Sequence, residues 1–182
     1  VVMLLGNVYA MFTTNLGIGA DSTLIAPLGG FPNQINNSYP VQALIYNHGT
    51  AASGGSVEVS VENSLGTQVY FNMFNSFSLN SGDSLTVPLG TVPSLPDDDY
   101  TITYTITPNL ADQFSLDNSY ISNHKIQDVE ISYAELDVNN LPITDNYYSY
   151  NFSWSFSYCN TFKDPNASAM ALEGIDYSAY VD

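Results

Sequence analysis

Residues 99–107 alternate without a break. Tyr100, Ile102, Tyr104 and Ile106 fall on one side, and Thr101, Thr103, Thr105 and Thr107 on the other. Period-two alternation of aromatic and β-branched residues predicts a strand with one dry face and one wet face. The turn Pro96-Asp97-Asp98-Asp99 leads into it, and Pro108-Asn109 ends it. A strand this strongly patterned needs partners on both edges, and its neighbours carry the same period. Residues 56–62 set Val57, Val59 and Val61 against Glu58, Ser60 and Glu62. Asn63-Ser64-Leu65-Gly66 has the length of a hairpin loop. The return strand is expected to continue the inner face with Val69, Phe71 and Met73.

Earlier strands are predicted at 21–27 and 41–47. Ser81-Gly82-Asp83 turns the chain into Leu85, Val87 and Leu89, residues 90–96 read as a loop, and 111–118 as a corner before a strand near 120–123. Short strands spaced roughly 8–15 residues apart, with no amphipathic helix between them, predict an all-β, antiparallel sandwich of immunoglobulin-like type. In such a fold the strand at 99–107 is central. Tyr100, at its start and after a turn, stands where a tyrosine corner belongs.

Beyond residue 125 the texture changes. Residues 126–136 alternate again, with Val129, Ile131 and Tyr133 on one side. Tyr148, Tyr150, Phe152, Trp154, Phe156 and Tyr158 then form an aromatic comb whose alternates are all Ser or Asn. Met170, Leu172, Ile175, Tyr177 and Val181 suggest one more strand, with a bulge at Gly174. Three strands are too few to stand alone. The chain therefore divides into an apolar N-terminal extension (1–20), a β-sandwich (21–124) and a second β-rich unit (125–182) that is incomplete or completed by a partner. Residues 1–20 carry no charge, but Asn, Thr and Gly interrupt them too often for a membrane span. They read as a strand packed on this domain or a neighbour.

Charge changes the picture more than composition does. There are 18 acidic residues against 2 basic ones, for a net charge of −16. Phosphate backbones and anionic membranes are repelled by such a surface, which excludes nucleic-acid binding and membrane insertion. Divalent cations or an acidic, salty exterior relieve the self-repulsion. The single cysteine, Cys159, excludes an internal disulfide framework.

Candidate chemistry is sparse. The chain holds two histidines, His48 and His124, placed by the strand reading in separate edges of the module. No Gly-x-Ser-x-Gly elbow accompanies them, so the chain does not read as an enzyme. Asp97, Asp98 and Asp99 are the best metal ligands, for calcium, because that ion takes several oxygens from a loop. Asp112, Asp117 and Asp137 are weaker candidates. The comb residues Tyr148, Tyr150, Phe152 and Trp154 are a buried strand face, an interface strip or a platform for glycans. Asn36, Asn151 and Asn166 each open an N-glycosylation sequon.

One sparse pattern resembles a known family. It comprises Asp21, Tyr46-Asn47-His48-Gly49-Thr50, the run from Leu79 through Asn80-Ser81-Gly82-Asp83 to Val87, Asp99-Tyr100 and Asp117-Asn118. With it, residues 21–123 resemble the CARDB-type immunoglobulin-like module of secreted and cell-surface proteins of Bacteroidota. Residues 126–181 look like the segment that follows such modules in proteins exported by the type IX pathway. The resemblance implies a non-catalytic structural or adhesive module at the cell surface. Its partners would be copies of itself, neighbouring surface-protein domains or glycans. It also implies O-glycosylation signals at Ser22 and Ser84. Two other roles fit the same compartment: a filament subunit donating residues 1–12 as a strand to the next copy, and a carbohydrate-binding accessory domain of a secreted hydrolase.

Overall fold

The computed structural model describes residues 12–19, 29–33 and 38–127. The strand expected at 21–27, the unit expected beyond 127 and the donor segment 1–11 lie outside the described residues. Eight strands follow in chain order: β1 (Leu16–Ile18), β2 (Gly30–Phe31), β3 (Tyr39–Asn47), β4 (Ser53–Asn63), β5 (Gln68–Leu79), β6 (Ser84–Val92), β7 (Asp98–Pro108) and β8 (Ser119–Ile126). They make a three-stranded sheet, β1-β3-β6, and a five-stranded sheet, β2-β8-β7-β4-β5. All pairings are antiparallel except the two-residue β2–β8 pair. Among the described residues there is no α-helix, and Ser115–Asp117 forms a 3-10 turn.

The alternation read at 99–107 is realised in β7. Tyr100, Ile102, Tyr104 and Ile106 are buried, and the intervening threonines lie on the solvent face. β7 is the middle strand of its sheet, with Val57, Val59 and Val61 of β4 opposite Ile106, Tyr104 and Ile102. On its other side stands β8, with Tyr120, Ser122 and His124 opposite Tyr104, Ile102 and Tyr100. The facing sheet contributes Tyr39, Val41, Ala43 and Ile45 from β3 and Val87, Leu89 and Val92 from β6. Alternate residues from the two inner faces thus form one core. β1 joins that core through Leu16, so the sandwich recruits residues upstream of Asp21.

The Tyr100 hydroxyl donates a 2.7 Å hydrogen bond to the carbonyl of Pro96, four residues upstream. This is the tyrosine corner of an immunoglobulin-like sandwich, and it fixes the angle at which the chain enters β7.

One strand face is corrected. Phe71 and Met73 lie on the exposed outer face of β5, and it is Tyr70, Asn72 and Phe74 that stand opposite Val61, Val59 and Val57. A shift of one residue exchanges every side chain between the faces of a strand. Asn72, itself exposed, turns its amide toward β6. Its Nδ2 donates to the Leu89 carbonyl at 3.0 Å, and the Tyr70 hydroxyl donates to the same oxygen at 2.8 Å. The predicted loop at 90–96 also shortens, because β6 continues through Gly90 to Val92. Gly90 has φ +88°, and a Cβ there would sit 2.5 Å from the Tyr70 hydroxyl.

Two substitutions test these tethers by denaturant unfolding. Tyr100→Phe removes one hydrogen bond and is expected to cost about 1 kcal/mol, seen as a lower midpoint at unchanged slope. Gly90→Ala imposes both a left-handed backbone and a clash, and should cost about 1 kcal/mol or more. A midpoint equal to wild type would show that Tyr70 and Asn72 do not hold the Leu89 carbonyl.

Candidate functional site

The polar side chains of the described residues gather in three places. The first is inside the core. His124 on β8 is 1 % exposed, and its Nε2 lies 3.1 Å from the Tyr39 hydroxyl. Its ring stacks on Tyr100 at a centroid distance of 5.2 Å and meets Tyr39 edge-on at 5.7 Å. The period-two pattern of β8 turns His124 inward with Ser122 and Ile126. Burial pushes its pKa down to about 4, so the imidazole is neutral in the folded protein. Burial likewise raises the Tyr39 hydroxyl. This histidine is a packed core group bridging the two sheets, and the expectation of a place at the module's edge is corrected.

The second place is the acidic turn. Asp97 is exposed, while Asp98 and Asp99 are half-buried as the first residues of β7. Asp98 is held below its ordinary pKa, first by a hydrogen bond from the Ser64 side chain, against desolvation, and further by the backbone N–H groups of Asp99 and Ser64. The Asp99 N–H reaches Asp98 Oδ1 at 2.8 Å. Asp99 itself faces Lys125 Nζ at 3.8 Å, because the β7–β8 register puts those residues opposite each other. The three carboxylates therefore diverge, one toward the β4–β5 turn, one toward β8 and one toward solvent. Among the described residues no group of three or more His, Cys, Asp or Glu side chains is placed to hold a metal ion.

The third lies where the loop between β7 and β8 folds over β1. Asp112 accepts the Leu16 N–H at 2.8 Å through Oδ2 and the Phe114 N–H at 2.8 Å through Oδ1. Asp117 rests on Gly17, where any Cβ would meet its Oδ2 at 2.8 Å and the His48 ring at 3.3 Å. Burial, with Asp112 adding to it, raises the Asp117 carboxyl, against the opposing pull of its own backbone N–H and of His48. His48 stacks on Tyr46 at 5.5 Å. No sequence spacing announces this gathering, since 100 residues separate Gly17 from Asp117. The Asp-Asn pair at 117–118 and the small residue at 17 are its only traces.

Of the other site residues expected from sequence, Ser84 opens β6 and is exposed. Ser22, Asn36, Tyr148, Tyr150, Asn151, Phe152, Trp154 and Asn166 lie outside the described residues.

Sheet order and the tyrosine corner define an immunoglobulin-like β-sandwich module. No protein-family model and no curated protein matches the sequence. Among solved structures the chain is similar to the CARDB domain of a Pyrococcus furiosus protein in complex with di-metal ions. That likeness has 15 % identity, covers 69 % of this chain and 97 % of that one, and has a TM-score of 0.46. It is also similar to a β-glucuronidase of glycoside hydrolase family 2, at 14 % identity and TM-score 0.39, covering 62 % of this chain and 11 % of that one. A family 123 glycoside hydrolase from Clostridium perfringens matches at 10 % identity and TM-score 0.38, covering 66 % of this chain and 28 % of that one. The chain thus spans only a small part of either hydrolase.

The buried imidazole gives the module a defined acid response. Unfolded, His124 titrates near 6.5; folded, near 4. As pH falls, the unfolded chain takes up the proton first, so stability is undiminished above pH 6.5 and lost progressively between 6.5 and 4. The full loss is about 3 kcal/mol. Urea unfolding at pH 7 and pH 4.5 should show most of it, and His124→Gln, with the same carboxylates, should lose less over that interval. Equal losses in the two proteins would mean that His124 charges as readily in the folded state as in the unfolded one.

Proposed function

We propose that the chain is a non-catalytic structural or adhesive module of an exported protein at the cell exterior, working through the surfaces of its sandwich. The observation that carries this reading is the outer face of the five-stranded sheet. There the threonines of β7 run between Phe71 and Met73 of β5 and Ile121 of β8, which are 48 %, 41 % and 56 % exposed. Glu58 and Glu62 of β4 stand on the same face, opposite Thr105 and Thr101, so hydroxyls, carboxylates and accessible apolar side chains mix there, a composition that suits contact with another surface. The histidines support the same reading. His124 is enclosed by Tyr39 and Tyr100, and His48 is stacked on Tyr46 beside Asp117. The charge of −16 suits an exterior rich in cations, where self-repulsion is screened.

Two measurements test this. Antibody raised against the purified chain should label intact cells of the source organism; label seen only after permeabilisation would remove the exterior placement. Purified protein incubated with chromogenic esters and glycosides should give no turnover above buffer. Turnover abolished by His48→Ala would replace the module reading with an enzymatic one.

A further inference from the structure

Residues 12–19 run through a groove that the rest of the module builds for them. One wall is the end of β3 and the turn after it. β1 pairs there with Ile45, Tyr46 and Asn47. The N–H groups of His48, Thr50 and Ala51 donate to the carbonyls of Asn15, Phe12 and Thr13 at 2.8, 2.9 and 3.0 Å. The other wall is the loop between β7 and β8. Gln113 takes the Thr13 N–H at 2.6 Å through its side-chain oxygen and gives its own N–H to the Thr14 carbonyl at 3.1 Å. Asp112 takes the Leu16 N–H at 2.8 Å. The floor is the core, which encloses Leu16 completely.

The groove fits one sequence pattern. At Gly49, on its rim, a Cβ would stand 2.6 Å from the Thr13 carbonyl oxygen and 2.8 Å from the Asn15 nitrogen, so only bare backbone lets the segment sit down. Gly17 leaves no room for a Cβ against Asp117, nor Gly19 against the Tyr46 ring. With Leu16 claimed by the core, the pattern is Leu-Gly-x-Gly, and residues 12–19 carry no charge. The fastening is mostly polar. Ile18 is only partly buried, and the bonds from Thr13 and Thr14 to Gln113 and Ala111 lie on the exposed side. Exposed hydrogen bonds exchange with water at little net cost, and ordering the segment opposes its docking with chain entropy. Such a segment opens at lower free energy than the strands of the core. β3 keeps its pairing with β6 when the segment is away.

We propose that residues 12–19 are a separable strap, and that the groove they fill is a strand-acceptor site for an uncharged Leu-Gly-x-Gly segment laid antiparallel on β3. The strap is the resident occupant and shows the fit. Another segment of that pattern enters when the strap leaves, so the module holds a binding site closed by its own chain. This goes beyond the contact-making reading above. Failure of the strap leaves that reading standing, while enzymatic turnover would leave the strap standing.

The test uses the full chain and a synthetic peptide of residues 12–19 with a fluorophore at its N-terminus. Hydrogen exchange on the native protein should show the amides of His48, Thr50 and Ala51 opening as a group, roughly tenfold or more faster than those of β7 after correction for intrinsic rates. Protection equal to that of β7 overturns the proposal. Leu16→Ala loosens the strap and leaves the groove intact. That variant should bind the peptide, read by anisotropy, roughly tenfold or more tightly than the native chain, whose tethered strap competes. Adding Gly49→Ala to it should abolish the gain, because the rim then excludes any strap. A peptide carrying Gly17→Ala and Gly19→Ala should bind roughly tenfold or more weakly than the native peptide. Absence of binding to Leu16→Ala, or equal binding of the two peptides, overturns the proposal. Where Leu16→Ala fails to fold, Gln113→Ala, which removes only outer bonds to Thr13 and Thr14, makes the same comparison with the same overturning result.

Discussion

The sandwich depends on one constraint: β7 must be paired along both edges while keeping one face dry. That single requirement sets the order of the five-stranded sheet. β4 and β8 can satisfy the backbone of β7 only in the registers that bring their own inward residues beside Tyr100, Ile102, Tyr104 and Ile106. A slip of one position would turn Val57, Val59 and Val61 to water and Glu58 and Glu62 inward. Burying two unpaired carboxylates costs far more than any strand pairing returns. The facing sheet then has to cover the dry face, and Tyr39, Val41, Ala43 and Ile45 do so from one strand.

Polar side chains inside the sandwich are the ties between its layers. Tyr39 on β3 meets His124 on β8, linking the sheets at the end where β7 begins. Asn47 closes β3 with three bonds: its Nδ2 donates to the carbonyls of Ala51 and Leu79, and its Oδ1 accepts the Gly49 N–H. Tyr70 and Asn72 join β5 to β6 at the open side. Each tie satisfies a group that burial would otherwise leave unpaired, so each costs little and fixes a geometry that apolar packing alone leaves adjustable. The motif Tyr46-Asn47-His48-Gly49-Thr50 has a physical content in these terms. Asn47 holds the turn, and Gly49 admits the Thr13 carbonyl and Asn15 N–H within 3 Å of where a Cβ would stand.

What was legible in the sequence follows from range. β4 and β7 declare themselves because every second residue is apolar and the rest are not. Tyr100 was legible for the same reason, since a corner depends on a partner only four residues away. β5 misled because its two faces are nearly equal in hydropathy; Phe71 and Met73 look like core, and Asn72 does not. The difference lies in the carbonyl of Leu89, which is 17 residues further on. β1 was hidden by its shortness, since three residues with Gly17 at the centre have no period to show. His124 was placed at an edge for want of any local cue that Tyr39 stands across from it. The meeting of Gly17, His48 and Asp117 is three segments deep, and no spacing rule reaches that far.

Charge governs how such a module meets other chains. Elsewhere, lysines set on an edge strand repel unwanted strands locally. Here the repulsion is spread over the whole molecule, with 18 acids against 2 bases and none of either between Glu62 and Asp83. A distributed field discriminates differently from a local one. It turns away other anionic chains by their net charge at distances near the Debye length, whereas at contact only the local surface counts. The same negative surface that keeps the protein dispersed thus leaves close contact to its uncharged stretches.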